Sequence, residues 1–537
     1  MKSMKKILEE KIRTVIQGLQ EEEALPSFGV PEIRVERPKD EQFGEYTTNI
    51  ALVLAKLAKK DPMETAEAIS QRLTINSQQE KTFEKVEVVK PGHINFYFSQ
   101  KTFASFIAKI LEERQKFGSS EKGKGEKVNN EFISANPTGP LSVGNGRGGF
   151  YSDTLSNVLR KSGYDVVNEY YVNDAGEQTL KLAHSVLGDS EAVYGGEYIE
   201  ELKKRFSSDL SLEAIALLAS QAVLDDYIQP TVEKVMQVHF DVWTSEKKLI
   251  EDGYVEKALS ILKEKELTFE NEGALWLKTT DFGDDKDRVL VKKDGAKTYF
   301  ASDCGYILQK IDRGFNHIIE TWGADHHGYV VRFQAAGKSL GFSGKMDFIL
   351  VQLVKVVKDG KEVRMSKRAG NVVTIDELIE KVGHDVARFF FLMYAPETHM
   401  NFDLGLAEER SQKNPVFYVQ YAHARLSSIL RKAEEENFGE ESGDLDLLVH
   451  PKERELTREL LFFPELIEMV ATDFSVHKLP QYAMRLADTF HSFYNDCKVI
   501  DEENRDMSMA RLELIRATKI VLSETLGLMG IDAPEKM

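Results

Sequence analysis

The sequence predicts an α/β protein built on a parallel sheet, preceded by a small α+β unit and followed by an α-helical bundle. Three observations carry this. A strand, a glycine-rich turn, a helix and a second strand succeed one another from Val128 to Val172; apolar strand segments return between His317 and Val357; and after about residue 405 only helical periodicity remains. A chain of 537 residues is too long for one ordinary core. The expected units are residues 1–118, residues 119–400 with a helical insertion at about 184–290, and residues 401–537.

At the N-terminus, Met4, Ile7, Leu8, Ile12, Val15, Ile16 and Leu19 form one helical stripe with charges between them, which predicts an amphipathic helix. Strands are expected at Val86–Val89 and, after Pro91-Gly92, at His93–Phe98, whose Phe96, Tyr97 and Phe98 read as core. Residues 117–130, rich in Gly, Ser and Lys, predict a flexible boundary, with a new domain starting near Lys127. The strand Val128–Ser134 then enters a loop at Pro137–Gly149, a helix through Leu155, Val158 and Leu159, and the strand Asp165–Val172. Residues 184–290 read as helical, with a hairpin near Asp294-Gly295. Strands follow at His317–Thr321 and Phe348–Val357, the second turning at Asp359-Gly360 and returning through Glu362–Met365 into the loop Ser366–Asn371. Val416, Val419, Gln420 and Leu426 open a long helix, and Glu434–Asp446 is an acidic loop.

Composition narrows the classes. Hydrophobic residues are 42% and charged residues 29% of the chain, which excludes disordered and fibrous proteins. The two cysteines, Cys304 and Cys497, have no CxxC spacing, so neither a disulfide framework nor a structural zinc is expected. No apolar run reaches the roughly 20 residues a bilayer requires, and the N-terminus lacks a signal-peptide core, so a cytoplasmic protein without membrane partners is expected. A net charge of −18 argues against general nucleic-acid binding but leaves room for a local basic surface.

Three segments carry chemistry. In EFISANPTGPLSVGNGRGG (131–149), Gly139, Gly144, Gly146, Gly148 and Gly149 lie between strand and helix, where backbone N–H groups and a helix N-terminus can face phosphate. A ligand-free glycine turn is the bland alternative. VRMSKRAGN (363–371) concentrates cations after a hairpin. TWGADHHGY (321–329) sets Asp325 and two histidines after a strand; His326 and His327 lack a third ligand at motif spacing, so no metal site is expected.

These segments resemble those of class I aminoacyl-tRNA synthetases, and Ala135–Pro140 in particular matches the arginyl family. The resemblance implies a Rossmann-like catalytic domain between an N-terminal tRNA-contacting domain and an anticodon-binding bundle. It implies that Ser142 and Asn145 stand where the family's first signature has histidines, and that Arg364 and Lys367 stand in its second; these four are the catalytic candidates. Both replacements keep a hydrogen-bond donor without an imidazole's charge. ATP is expected against Pro137, Thr138, Gly139, Pro140, Gly144, Gly323, Asp325, His327, Met365 and Ser366, accompanied by Mg2+. Arginine is expected against Glu131, Asn136, Tyr299, Asp303 and His326, since a guanidinium fork wants carboxylates. EYYVNDAGEQ (169–178) also resembles the arginyl family, with Asn173-Asp174 at a strand's C-terminal end. Phe43 and Asn49, in FGEYTTN, and Tyr418, Tyr421 and Arg425 are the implied tRNA contacts. The implied reaction ligates L-arginine to tRNA(Arg) by way of an adenylate, in a monomer, with tRNA needed for the first step. A catalytically idle relative that binds tRNA or arginine is the alternative, and another class I synthetase or a nucleotidylyltransferase is the wider one.

Overall fold

The computed structural model describes residues 3–77, 81–206, 209–363, 373–438 and 442–537. The first stripe becomes the helix Met4–Glu21, with Ser3 as its cap and Met4, Leu8, Ile12, Val15, Ile16 and Leu19 buried. It accompanies an antiparallel sheet ordered Val35–Glu36, Tyr46–Thr48, His93–Phe98, Phe83–Val89. The last strand starts three residues before the expected Val86 because Phe83 pairs with Phe98 and stacks on it, ring centroids 6.1 Å apart. Phe96 and Phe98 are core; Tyr97, on the other face, donates to Gln42 O at 2.7 Å and Glu87 Oε2 at 2.9 Å. This unit is docked on the helix Pro451–Asp473. Leu461 enters its core, Tyr46 Oη donates to Glu465 Oε2 at 3.0 Å, and Arg458 Nε donates to Glu45 Oε1 at 2.8 Å.

The boundary expected to be flexible is instead pinned. Phe117 is buried against Phe463, Ser120 N donates to Lys161 O, and Gly123 N donates to Ser162 O. A Cβ on Gly123 would stand 2.2 Å from the Tyr164 ring, so this glycine serves close approach rather than freedom.

The central sheet has five parallel strands: β1 (Lys127–Glu131), β2 (Asp165–Val172), β3 (Val242–Ser245), β4 (His317–Gly323) and β5 (Lys345–Val351), ordered β5-β4-β1-β2-β3. The chain leaves β1 toward β2 and β3, then returns to β1's other side for β4 and β5. The two halves therefore diverge between β1 and β4.

Four expectations need correction. The stretch 184–290 is not simply a helical insertion: β3, only four residues long, completes the main sheet, and Thr268–Asn271, Ala274–Leu277 and Arg288–Val291 form a separate antiparallel sheet. Strands this short give too few alternations to register as a pattern. At Asp294-Gly295 the expected hairpin is a turn closed by the single bridge Val291↔Lys297. The single strand expected at Phe348–Val357 is two, because Gln352 N donates to Pro396 O at 2.8 Å and the chain bends there. The second piece, Val354–Lys358, pairs with Met400–Asp403 and, through Asp359 and Gly360 at φ 51° and 73°, with Lys361–Glu362.

The fourth correction concerns the glycines. The loop expected over 137–149 ends at Ser142, and Gly144, Gly146, Gly148 and Gly149 lie in the first turns of helix α1 (Val143–Lys161). A Cβ on Gly146 would stand 2.4 Å from Ile375 Cδ1, and one on Gly149 would stand 2.7 Å from Met236 Cε. These glycines let a helix lie close to its neighbours. Gly146→Ala should cost about 1–3 kcal/mol of stability through overpacking, measurable by urea unfolding, and Ile375→Val in the same background should recover part of it.

The helices Pro415–Glu435, Pro451–Asp473, Lys478–Asp496 and Arg505–Leu528 form the expected bundle, with Val416, Val419, Gln420 and Leu426 buried in the first. The terminal residues fold back onto it: Gln420 Nε2 donates to Asp532 O at 3.0 Å, and His423 Nδ1 lies 2.9 Å from Pro534 O.

Candidate functional site

Open α/β sheets bind ligands outside the carboxyl ends of their strands where the strand order diverges. At that point, past β1 and β4, two adjoining cavities of about 460 and 400 Å³ share Ile133, Thr321, Trp322 and Gly323 as walls. The chain leaves β1 through Ile133 and Ser134, with φ of 63° and 38°, and Ser134 N donates back to Phe132 O at 2.9 Å. A β-branched residue at positive φ is strained, and such strain gathers at functional sites. Here it folds Ser134 Oγ back to donate to Glu131 Oε1 at 3.0 Å and accept from Tyr171 N at 3.0 Å, tying the ends of β1 and β2 together.

The larger cavity is acidic. Glu131, Tyr299, Asp303 and His326, all expected there, line it, joined by Tyr171, Tyr306, Glu320 and Tyr329. Asp303, on helix α2 (Tyr299–Asp312), accepts from Tyr329 Oη. Burial pushes its carboxyl up to about 6, against the hydrogen bond from Tyr329, with Glu131's charge adding to the rise. Glu246 is buried beside it and is pushed up to about 7 by burial first, then by Asp303 and Asp174. Asn173 donates to Glu246 Oε2 at 2.7 Å and lies 3.2 Å from the exposed Asn136 side chain. Asp174 itself is engaged by Ser245 Oγ and Lys247 N, at 2.6 and 2.9 Å. Glu246 has no motif to mark it; it is placed by β3, two residues beyond Thr244, which is bonded to Glu169.

The smaller cavity is lined by Ser142, Val143, Gly144, Asn145, Gly148, Gly323 and Asp325, among others. Ser142 and Asn145 form a capping box on α1: Ser142 N donates to Asn145 Oδ1 at 3.0 Å and Asn145 N donates to Ser142 Oγ at 3.3 Å. The next segment after residues 364–372 is stitched to this one, with Val143 N donating to Val373 O at 3.2 Å and Ile375 N to Leu141 O at 2.9 Å. Arg364, Met365, Ser366 and Lys367 lie outside the described residues. Ser142→Ala should remove the cap and cost about 1 kcal/mol, read as a lower urea midpoint.

Other candidates fall elsewhere. Pro137, Thr138, Gly139 and Pro140 line neither cavity; Thr138 O accepts from Tyr198 Oη at 2.9 Å, and Pro140 borders a separate space with Tyr198 and Tyr227. His327 is exposed and lines neither. Phe43 and Asn49 are exposed on the N-terminal unit. Tyr418 and Tyr421 are half-buried around His491, ring centroids 5.4 and 6.1 Å away, and the Arg425 guanidinium lies 4.3 Å above the Tyr494 ring.

The chain carries the catalytic domain of a class I aminoacyl-tRNA synthetase. Family models agree in chain order: the arginyl-tRNA synthetase N-terminal domain over residues 4–98, the catalytic domain of class I (R) tRNA synthetases over 197–389, and the DALR anticodon-binding domain over 419–537. The catalytic match begins after the 131–149 segment. An arginine-tRNA ligase of Shouchella clausii is 42% identical over 531 residues, 95% of each chain, and one of Bacillus subtilis is 42% identical over 561 aligned positions, 99% of each. The fold is shared with Thermus thermophilus arginyl-tRNA synthetase at a TM-score of 0.78 and 22% identity, over 99% of this chain and 100% of that one. The chain belongs to the arginyl-tRNA synthetase family.

Proposed function

We propose that the chain ligates L-arginine to tRNA(Arg) with ATP, and that the observation carrying this is the acid-lined cavity of Glu131, Asp303 and Glu320, with Glu246 buried beside Asp303, adjoining the cavity at Ser142–Gly148. Carboxyls that burial and neighbouring negative charge hold above the usual carboxylate range are paired best by a bidentate cation. In this reading Asp303, Glu246, Glu131 and Tyr299 receive the guanidinium side, Asn136 holds the backbone end, and His326 closes the rim. The arginine carboxylate attacks the α-phosphorus of ATP in the neighbouring cavity, pyrophosphate leaves, and the acyl group then passes to a hydroxyl of the tRNA's terminal adenosine. Asn145 and Ser142 supply neutral donors near the phosphates, Asp325 holds ribose hydroxyls, and Lys367 and Arg364 offset charge on the departing pyrophosphate. Among the described residues no cluster of three His, Cys, Asp or Glu side chains suits a metal ion, so Mg2+ is assigned to the ATP phosphates as part of that substrate.

Phe43 and Asn49 on one unit, and Tyr418, Tyr421 and Arg425 on another, are assigned to tRNA. The domain limits 1–118, 119–400 and 401–537, a monomeric state and a cytoplasmic setting complete the reading; among the described residues no helix is long and apolar enough to cross a membrane. An idle, binding-only relative is the weaker reading, because Asp303, Asp325 and Glu131 are all retained around the two cavities.

The test is attachment of arginine, glutamate, methionine and cysteine to purified tRNA by the native chain and by a Ser142→His, Asn145→His double variant. Arginine-selective charging by the native chain supports the reading. Charging by the double variant alone moves it to an idle relative.

A further inference from the structure

Glu320, Glu131 and Glu169 stand in register on three adjacent strands, β4, β1 and β2, and are 1%, 6% and 0% exposed. Neighbours in register on parallel strands share a face, and like charges so placed repel. Two cations at the end of one helix answer three carboxylates. Lys310 Nζ, wholly buried, donates to Glu131 Oε2 at 2.7 Å and Glu320 Oε1 at 2.6 Å; Arg313 Nη1 lies 2.8 Å from both oxygens of Glu169. Tyr306 Oη also donates to Glu131 Oε2, at 2.6 Å. That oxygen is therefore fully engaged, and Oε1, beside Ser134, is the one left toward the cavity.

We infer that Lys310 is a positioning residue for substrate recognition: bonded to both Glu131 Oε2 and Glu320 Oε1, it fixes the Glu131 carboxylate so that Oε1 is left for the substrate's guanidinium. This rests on the arginine reading above. The groups facing Glu131 are Glu320, Glu169 and Tyr171 from the flanking strands and Lys310, Tyr306 and Asp303 from α2. Burial, followed by Glu131's charge, pushes Glu320 up even with the lysine present. Without Lys310, Glu131 faces Glu320, already pushed up to about 8, with no cation to hold its carboxylate in place. A pocket in that state binds a cation poorly until the pH rises.

The experiment measures kcat and KM for arginine in tRNA charging, from mildly acidic to alkaline pH, for the native chain, Lys310→Met, Lys310→Arg and the Lys310→Met, Glu320→Gln double variant. Lys310→Met should raise KM by about 10- to 100-fold, the value of one charge-assisted hydrogen bond, with kcat little changed. Its arginine affinity should recover as pH rises, at a higher pH than in the native chain, and Lys310→Arg should restore most of it. The double variant removes Lys310 together with the carboxyl it would otherwise leave without its hydrogen-bond donor, and should fold while keeping the KM defect. A native KM in either Met variant, a loss confined to kcat, or Lys310→Arg as impaired as Lys310→Met would overturn the role. Failure of the native chain to charge arginine at all would instead overturn the reading on which it rests.

Discussion

Asp303→Asn is expected to remove arginine activation while making the ligand-free protein harder to unfold above pH 6. The substitution keeps the shape of the side chain and an acceptor for Tyr329 Oη, so packing around α2 is preserved. It removes the charge a guanidinium needs at the base of the cavity. Truncating one partner of a buried charge pair costs about 2–5 kcal/mol, or roughly 30- to several-thousand-fold in kcat/KM for arginine. The stability effect has the opposite sign. Burial raises the folded-state carboxyl from 3.8 to about 6, so its contribution to folding is fully present below about pH 4 and is lost as pH rises through 6. Above that window the native protein carries an order-of-magnitude penalty of about 2–3 kcal/mol that the asparagine lacks. Urea unfolding at pH 8, with and without arginine, measures both: the variant should start higher and gain nothing from the ligand.

Arg388→Met should have the largest effect on stability, about 3–5 kcal/mol, because it breaks a buried ion pair from one side. Arg388 is 1% exposed; it donates to Asp153 on α1 and to Met529 O in the terminal segment, and its guanidinium lies 5.2 Å from the centre of the Phe150 ring. Gly530, at φ 65°, passes so close that a Cβ would stand 2.5 Å from the guanidinium carbon. One side chain therefore joins helix α1, whose first turn lines the smaller cavity, to the end of the C-terminal bundle. The thermal transition should fall sharply in Arg388→Met and recover in part when Asp153→Asn is added, because the stranded carboxylate is then neutral. Equal midpoints for the single and double variants would place the loss in packing alone.

Long, strongly patterned elements were legible from the sequence. The stripe Met4 to Leu19, the strand Asp165–Val172 and the helix opened by Val416 each carry enough periods for burial to impose a readable spacing. Elements whose cause lies far away in the chain were not. β3 is a four-residue edge strand, and the bend at Gln352 is held by Pro396 and by Arg147, whose guanidinium donates to Gln352 O and Ala395 O at 3.0 and 2.8 Å. The site divides in the same way. The resemblance to the arginyl family picked out Glu131, Asp303 and Ser142, and these line the paired cavities, but the glycines of 144–149, expected in a loop, lie in a helix, where Gly146 packs against Ile375 and Gly149 against Met236. Glu320 comes to the cavity, and Lys310 and Glu246 to the carboxyls that line it, through strand register and helix pitch. Lys310 lies seven residues beyond Asp303, about two turns along one helix face, a relation that means something only once Glu131 is known to lie beneath it.

The most direct measurement of the central claim is the heat of binding of arginine and of citrulline, its neutral isostere, to the native chain near pH 8. Asp303 and Glu246 are then discharged by a guanidinium but not by a urea group. Arginine should bind and release heat, with citrulline at least about 100-fold weaker, the difference expected for a charge-paired contact. Equal affinities, or none for arginine with ATP and tRNA also present, would contradict an acid cavity built for a guanidinium.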